Sequence, residues 1–434
     1  MNKLSIFQIV LLIVFGVLGL AGVLIFAFAT AGNSTTSVGP VLIWGDIDSR
    51  AMDAVLQQNA DQNQDFDQVK YAQRDPAVYE SELVNALADG SGPDLFILRQ
   101  DQLLHNIGRI IPVPTAALPV AQFNTLFIDG ANIFSGGNGA LGIPLVADPL
   151  ILYWNKDVLS AAGYAKPPAT WAEVQAMGEK LQKRDDSGAI VKSAIALGEY
   201  ANVTNAKDIL SVLILQAGGA IVTRDSTGRL VPGLLSGGTG ASQMAESALR
   251  FYTEFANPSK SHYSWSRSLP ASQKAFAAGD TALYIGFAGE GPAIARMNPN
   301  LNFAVAALPQ IANAANVVNT ARIYGISISR TTKNPQGALA VALQFASSAS
   351  GMGKNLSANL GIPSALRDVL AVPATGAADL YRREALISRS WFDPDPAKTS
   401  AIFRAMIENI TSGSLSLTNS VQRANEELGA ILGI

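Results

Sequence analysis

The sequence predicts an α/β protein with a mostly parallel sheet and helices on both faces. Three observations predict it. Residues 41–98 read as strand, helix, strand, helix, strand, the order that builds parallel pairs. The 434 residues are 48% hydrophobic and only 15% charged, which is ample core for two or three domains. Residues 139–171 then place a strand between proline- and glycine-marked joints, as a strand passing between two bodies of structure does.

In chain order, residues 41–44 form a short apolar strand that Gly45 and Asp46 end. A helix follows over 49–58, with Ala, Met and Leu on one side. Residues 68–72 make a second strand, and Asp75-Pro76 starts a helix over 79–88 that Gly90 closes. Asp94 begins the fully apolar strand 95–98. A short helix over 103–111 leads to a loop with Pro112 and Pro114. Gly142 and Pro144 mark a tight entry, Asp148-Pro149 breaks the run, and 150–154 is a β-branched and aromatic strand. Asn155 and Asp157 cap a short helix that Gly163 stops. Thr170 caps the next helix with Glu173 at the capping-box position.

Further on, a helix spans 206–216, a hairpin turns at residues 225–228, and a helix covers 242–255. Residues 273–278 make a short helix stopped by Gly279, and a strand follows over 281–285. Gly286, Gly289 and Gly291 keep the next backbone close, but their spacing fits no nucleotide loop. Strands over 303–308 and 324–329 come next, then helices over 334–345, 352–360, 399–411 and 417–432.

Composition excludes several chemistries. There is no cysteine, so disulfides, thiol catalysis and a lipidated N-terminal cysteine are ruled out. His105 and His262 are the only histidines, too few for a multi-histidine metal site. The net charge of −3 argues against a nucleic-acid partner. No G-x-S-x-G or H-E-x-x-H pattern is present. No cofactor, metal or catalytic residue is expected.

Residues 4–29 are nearly all apolar, broken by Ser5 and Gln8, and follow Lys3. That length fits a transmembrane helix with its N-terminus inside. The expectation is a single-pass cell-membrane protein with residues 1–35 as anchor and tether and the rest extracytoplasmic. Ala27-Phe28-Ala29 also matches a signal cleavage site, which leaves export without an anchor as the alternative.

The stretch Gly142, Pro144, Tyr153, Trp154, Asn155, Lys156, Asp157, then Gly163, Pro167, Pro168, Thr170, Trp171 and Glu173, carries a resemblance. It resembles the crossover segment of extracytoplasmic solute-binding proteins of carbohydrate ABC transporters, the maltose- and glycerol-phosphate-binding type. Phe276, Gly279, Ala282 and Leu283 match a second family segment, and Gly361-Ile362-Pro363 a third. Where the family often has a tryptophan in the loop after 285, this chain has Phe287 and Glu290.

The resemblance implies a periplasmic-binding-protein-like fold: two α/β lobes joined by a three-crossing hinge. Lobe 1 comprises residues 40–147 plus 308–362, and lobe 2 residues 148–307 plus 363–434. It implies binding of a mono- or oligosaccharide and delivery to ABC permease subunits, with a glycerol-phosphate-like solute as the alternative. A tethered scaffold on the same fold is a further alternative.

A sugar ring offers an apolar face and a fringe of hydroxyls. Aromatic rings suit the face; carboxylates, amides and Arg suit the hydroxyls. The expected ligand-binding residues are Trp44, Asp46, Asp94, Asp148, Tyr153, Trp265, Phe287, Glu290, Arg322, Tyr324 and Trp391. Core packing accounts equally well for any single aromatic among them. A glycosidase-type pair drawn from Asp148, Glu199 and Glu290 is the enzymatic alternative, needing carboxyls roughly 5–10 Å apart.

Overall fold

The first five elements form as their patterns require in the structure, a computed structural model that describes residues 38–235, 241–314 and 316–434. They are β1 (Val41–Gly45), α1 (Ser49–Gln62), β2 (Val69–Gln73), α2 (Tyr79–Ala88) and β3 (Leu95–Arg99). The Asp48 carboxylate caps α1 by accepting from the amides of Arg50 and Ala51. The face of α1 with Met52, Val55 and Leu56 is buried, the i, i+3, i+4 spacing of an amphipathic helix. β1 lies between β2 and β3, parallel to both.

Next come β4 (Ile143–Asn155), α3 (Trp171–Leu181), β5 (Ile190–Ile195), α4 (Ala206–Gln216), α5 (Ala241–Glu254), β6 (Thr281–Phe287) and β7 (Phe303–Ala306). The chain continues with β8 (Asn319–Ser329), α6 (Pro335–Ala346), α7 (Met352–Leu360), α8 (Gly376–Leu386), α9 (Pro396–Thr411) and α10 (Leu417–Leu432). The spatial order is β2-β1-β3-β8-β4-β6-β5. Thr170 and Glu173 make the reciprocal capping box that opens α3.

The sheet is mixed rather than mostly parallel. β8 runs antiparallel to β3, and β4 antiparallel to β8, β6 and β7. The expected break at Asp148-Pro149 is absent, and β4 is one strand of 13 residues. Pro149 has no N–H to give a ladder. It stands where partners change: it is opposite Ala321 of β8, while Leu150 is opposite Phe287 of β6. The missing donor falls at that seam, so the strand continues through it. On β8 a register shift follows Tyr324, where a Cβ on Gly325 would come 2.5 Å from the Phe134 ring.

Two large apolar cores flank this seam. The first joins Ile43, Leu95, Phe96, Ile143 and Val146 to Ile323, Ile326, Val341 and Phe345. Ala365, Leu366, Leu370 and Ala385 also belong to it. The second joins Leu150, Leu152, Trp171, Ile195, Leu210 and Trp265 to Phe403 and Leu428. Alternation along β4 sends Ile151 and Tyr153 to the opposite face, into a small cluster with Phe276, Tyr284 and Ile294.

The membrane-spanning helix and the single-pass cell-membrane location expected from it are corrected. Among the described residues no helix is long and apolar enough to cross a membrane. The longest, α9 and α10, have 16 residues each. At about 1.5 Å per residue they span roughly 24 Å, short of a hydrocarbon core of about 30 Å. Residues 4–29, on which the expectation rested, lie outside the described residues.

Candidate functional site

The carboxyl ends of parallel strands are where α/β sheets place ligands. Here Arg99, Gln100 and Asp101 leave the end of β3 and enter one wall of a cleft of ≈ 370 Å³. Thr320 and Arg322 of β8 join them. The opposite wall comes from the start of α4, with Asn205, Lys207 and Asp208, and from Trp391, Asp393 and Arg404. The cleft therefore lies between the two large cores.

Most of its charges are paired in place. Arg99 forks onto Asp101, with Nε to Oδ1 and Nη2 to Oδ2 both at 3.2 Å. That carboxylate raises the Arg99 pKa, so the guanidinium stays charged. Gln100 accepts from the Ile323 amide at 2.7 Å, which ties the end of β3 to β8. Arg322 Nη2 donates to Asn205 Oδ1 at 3.2 Å and stands 3.8 Å from Asp208 Oδ2. Its guanidinium also lies 3.8 Å from the Phe287 ring centroid. Lys207 Nζ donates to Asp393 Oδ2 at 2.5 Å and to Thr399 Oγ1 at 2.7 Å. Burial pushes the Asp393 pKa up, and the Lys207 ammonium works against it.

Trp391 is half-buried at the cleft wall, stacked on Phe403 at 6.1 Å with an interplanar angle of 20°. The Lys207 ammonium sits 5.4 Å from its ring. The wall thus offers two aromatic side chains, Trp391 and Tyr200, amid largely fixed donors and acceptors, which suits an uncharged polyhydroxylated ligand.

The structure distributes the expected residues unevenly. Arg322 and Trp391 line the cleft. Asp46 is half-buried at the end of β1; burial raises its pKa, and Arg99 and Arg322 oppose the rise. Asp148 is 8% exposed and accepts from the Gly289 amide at 2.8 Å. Burial pushes its pKa up to about 7, against that hydrogen bond and Arg322. Phe287 is 1% exposed and covered by Arg322. Tyr324 is half-buried on β8, with its pKa pushed up to about 12 by burial.

Glu290 accepts from Asn205 Nδ2, Gln273 Nε2, the Tyr284 hydroxyl and the Phe287 amide. Those four bonds make it a brace of the loop behind the cleft. Glu199 is likewise engaged, accepting from Arg267 Nε at 2.8 Å.

Four other candidates are placed away from the cleft wall. Trp44 is buried beneath Arg74, whose guanidinium lies 3.6 Å from the ring. Asp94 accepts from the Leu42 amide and the Thr332 hydroxyl beside a different groove. Tyr153 is fully buried and donates to the carbonyls of Phe287 and Ala288. Trp265 is fully buried with Nε1 donating to Asn202 Oδ1 at 3.0 Å. Sequence reasoning missed Arg99, Asp101, Asn205, Lys207 and Asp208. Their signal was positional: the carboxyl end of an apolar parallel strand and the first turn of a helix.

Comparison with known proteins assigns the fold and the family. The family model described as bacterial extracellular solute-binding protein matches residues 48–352. The cyclic α-maltosyl-1,6-maltose binding protein from Arthrobacter globiformis superposes with a TM-score of 0.73 at 17% identity, covering 91% of this chain and 99% of its own. The sugar-binding protein MalE from Xanthomonas citri gives 0.71 at 17% identity, with 91% and 97% covered. The GacH receptor of Streptomyces glaucescens gives 0.70 at 16%, with 91% and 98% covered. At these identities the likeness establishes the fold. The fold and cleft define a solute-binding protein of the periplasmic-binding type. The family match spans well over half of the sequence, and this chain belongs to the bacterial extracellular solute-binding proteins.

Proposed function

We propose that this chain binds a mono- or oligosaccharide in the cleft, without chemistry, and delivers it to the permease subunits of an ABC transporter. The observation that carries the reading is the cleft wall itself. Arg99 pairs with Asp101, Arg322 faces Asp208, and Lys207 pairs with Asp393, so three of the wall's four cations already have a carboxylate, while Arg404 lies over the Tyr200 ring. An anionic ligand held by any of those three has to displace its carboxylate. A sugar does not: its hydroxyls donate to the carboxylates and accept from the cations, and its apolar face lies on Trp391. Of the proteins of like fold described above, one is named a sugar-binding protein and another a cyclic α-maltosyl-1,6-maltose binding protein, which supports the carbohydrate class here.

In this proposal residues 38–149 and 319–386 form one lobe, and residues 150–308 and 391–434 the other. The third crossing moves from 363 to just beyond 386, because Ala365, Leu366, Leu370 and Ala385 pack in the first core. The ligand touches both lobes, so its binding energy drives closure. Arg322 and Trp391 remain ligand contacts, joined by Arg99, Asp101, Asn205 and Asp208.

The test is a thermal-shift screen of the full chain against sugars, polyols, phosphorylated polyols and amino acids, with calorimetry on each hit. A ligand that binds only the folded state raises the melting temperature by mass action. Sugars alone are expected to do so. A response confined to phosphorylated polyols or amino acids overturns the carbohydrate reading, and turnover of the ligand makes the protein an enzyme.

A further inference from the structure

Two buried hydroxyls in the cleft lack any partner. Ser211, in the second turn of α4, is 2% exposed, and its Oγ has no hydrogen bond among the described residues. It forgoes the bond to the carbonyl four residues earlier that helical serines commonly make. Ser390 Oγ is likewise buried and unpartnered. The two come from segments 179 residues apart, yet both line the one cleft. Ser390 immediately precedes Trp391, an aromatic side chain of the same wall. A buried polar atom without a partner is costly, so native proteins rarely keep one unless something else satisfies it.

We propose that Ser211 and Ser390 are specificity-determining residues, each hydrogen-bonded by a hydroxyl of the bound sugar. The inference rests on the carbohydrate reading above and adds to it which hydroxyl-bearing side chains sense the ligand. A serine hydroxyl is donor and acceptor at once, as is a sugar hydroxyl, so either orientation satisfies both. The two serines flank charged groups that are already paired. Arg322 and Asp208 are engaged with each other, and Lys207 is held by Asp393 and Thr399. Ser211 and Ser390 are the buried hydroxyls of this wall whose hydrogen-bonding capacity is still open among the described residues.

The experiment is calorimetry on the full chain with maltose, maltotetraose, mannobiose and tagatose, comparing the parent protein with Ser211→Ala, Ser390→Ala and the double variant. Melting temperatures without sugar are recorded alongside. For the tightest of the four sugars, each single variant is expected to weaken binding roughly 5- to 100-fold, the effect of leaving a buried ligand hydroxyl unpaired. The melting temperature without sugar is expected to stay level or rise, because the alanine removes an unpaired hydroxyl. One monodeoxy analogue of that sugar should then bind the parent and Ser211→Ala equally well. Affinities within twofold of the parent in both single variants overturn the inference while leaving the carbohydrate reading intact, since sugar still binds. A melting temperature that falls without sugar assigns the hydroxyls a structural role and also overturns it. If none of the sugars binds the parent, the carbohydrate reading fails first and the inference falls with it.

Discussion

The guanidinium of Arg322 lies 3.8 Å from the centroid of the Phe287 ring. Ile323 beside Arg322 belongs to the first core and Phe287 to the second, so this cation–π contact joins the two. The same guanidinium reaches Asn205 and faces Asp208 across the cleft. Replacing Arg322 with Ala is expected to lower unfolding free energy by about 1–2 kcal/mol. Most of that comes from the ring contact, because the pair with Asp208 is about a third exposed and screened. Arg322→Lys restores the charge without the planar fork and should recover only part of the loss. Urea denaturation of both variants checks this.

Burial opposes the charge of Asp148 and pushes its pKa up to about 7. A carboxyl raised above its unfolded value favours the folded state while it is protonated. That stabilisation is complete below about pH 4 and is lost as pH rises to about 7. Its size is on the order of a few kcal/mol. Asp148→Asn keeps an oxygen for the Gly289 amide and should flatten much of this slope. Glu384, also pushed up to about 7 by burial, keeps a residual slope of the same sign. Denaturation midpoints of parent and variant across that window test the sign.

Trp391 and Trp265 separate binding from packing. Trp391→Ala is expected to weaken sugar binding by about 1–3 kcal/mol with a smaller effect on stability. Trp265 is fully buried and hydrogen-bonded to Asn202. Trp265→Ala should cost about 3–5 kcal/mol of stability. Calorimetry and denaturation on the same two variants read both quantities, and a reversed pattern removes Trp391 from the site.

Tyr153→Phe deletes the hydroxyl that serves the carbonyls of Phe287 and Ala288. Two buried acceptors are left unserved, at a cost of about 1–3 kcal/mol in stability. Sugar affinity should change little, since the ring sits among Phe276, Tyr284 and Phe303. A large affinity loss with unchanged stability contradicts that placement.

Local chemistry made much of the fold legible in the sequence. Thr170 and Glu173 announced the start of α3, and the box forms because both partners lie within one turn. Asn155 accepts from the amides of Asp157 and Val158, and Gly163 takes φ +84 where the short helix ends. The apolar run 95–98 became β3 at the centre of the sheet. These features depend on neighbours a few residues away, so the sequence carries them openly.

The tertiary structure decided the rest. Pro149 reads locally as a strand breaker, yet β4 runs through it because two partner strands meet there. Tyr153 and Trp154 are adjacent, but alternation buries Tyr153 completely in the small cluster and leaves Trp154 partly exposed against the second core. The cleft joins Arg99 and Asp101 to Asp208, Arg322 and Trp391, residues dispersed along nearly 300 positions. By itself the sequence determined many of the strands and helices, though not the helix Gly376–Leu386 or the unbroken β4, and through its resemblance the solute-binding family. Which side chains face the ligand depended on strand order and on packing between two cores. Those are long-range contacts, and no local pattern encodes them.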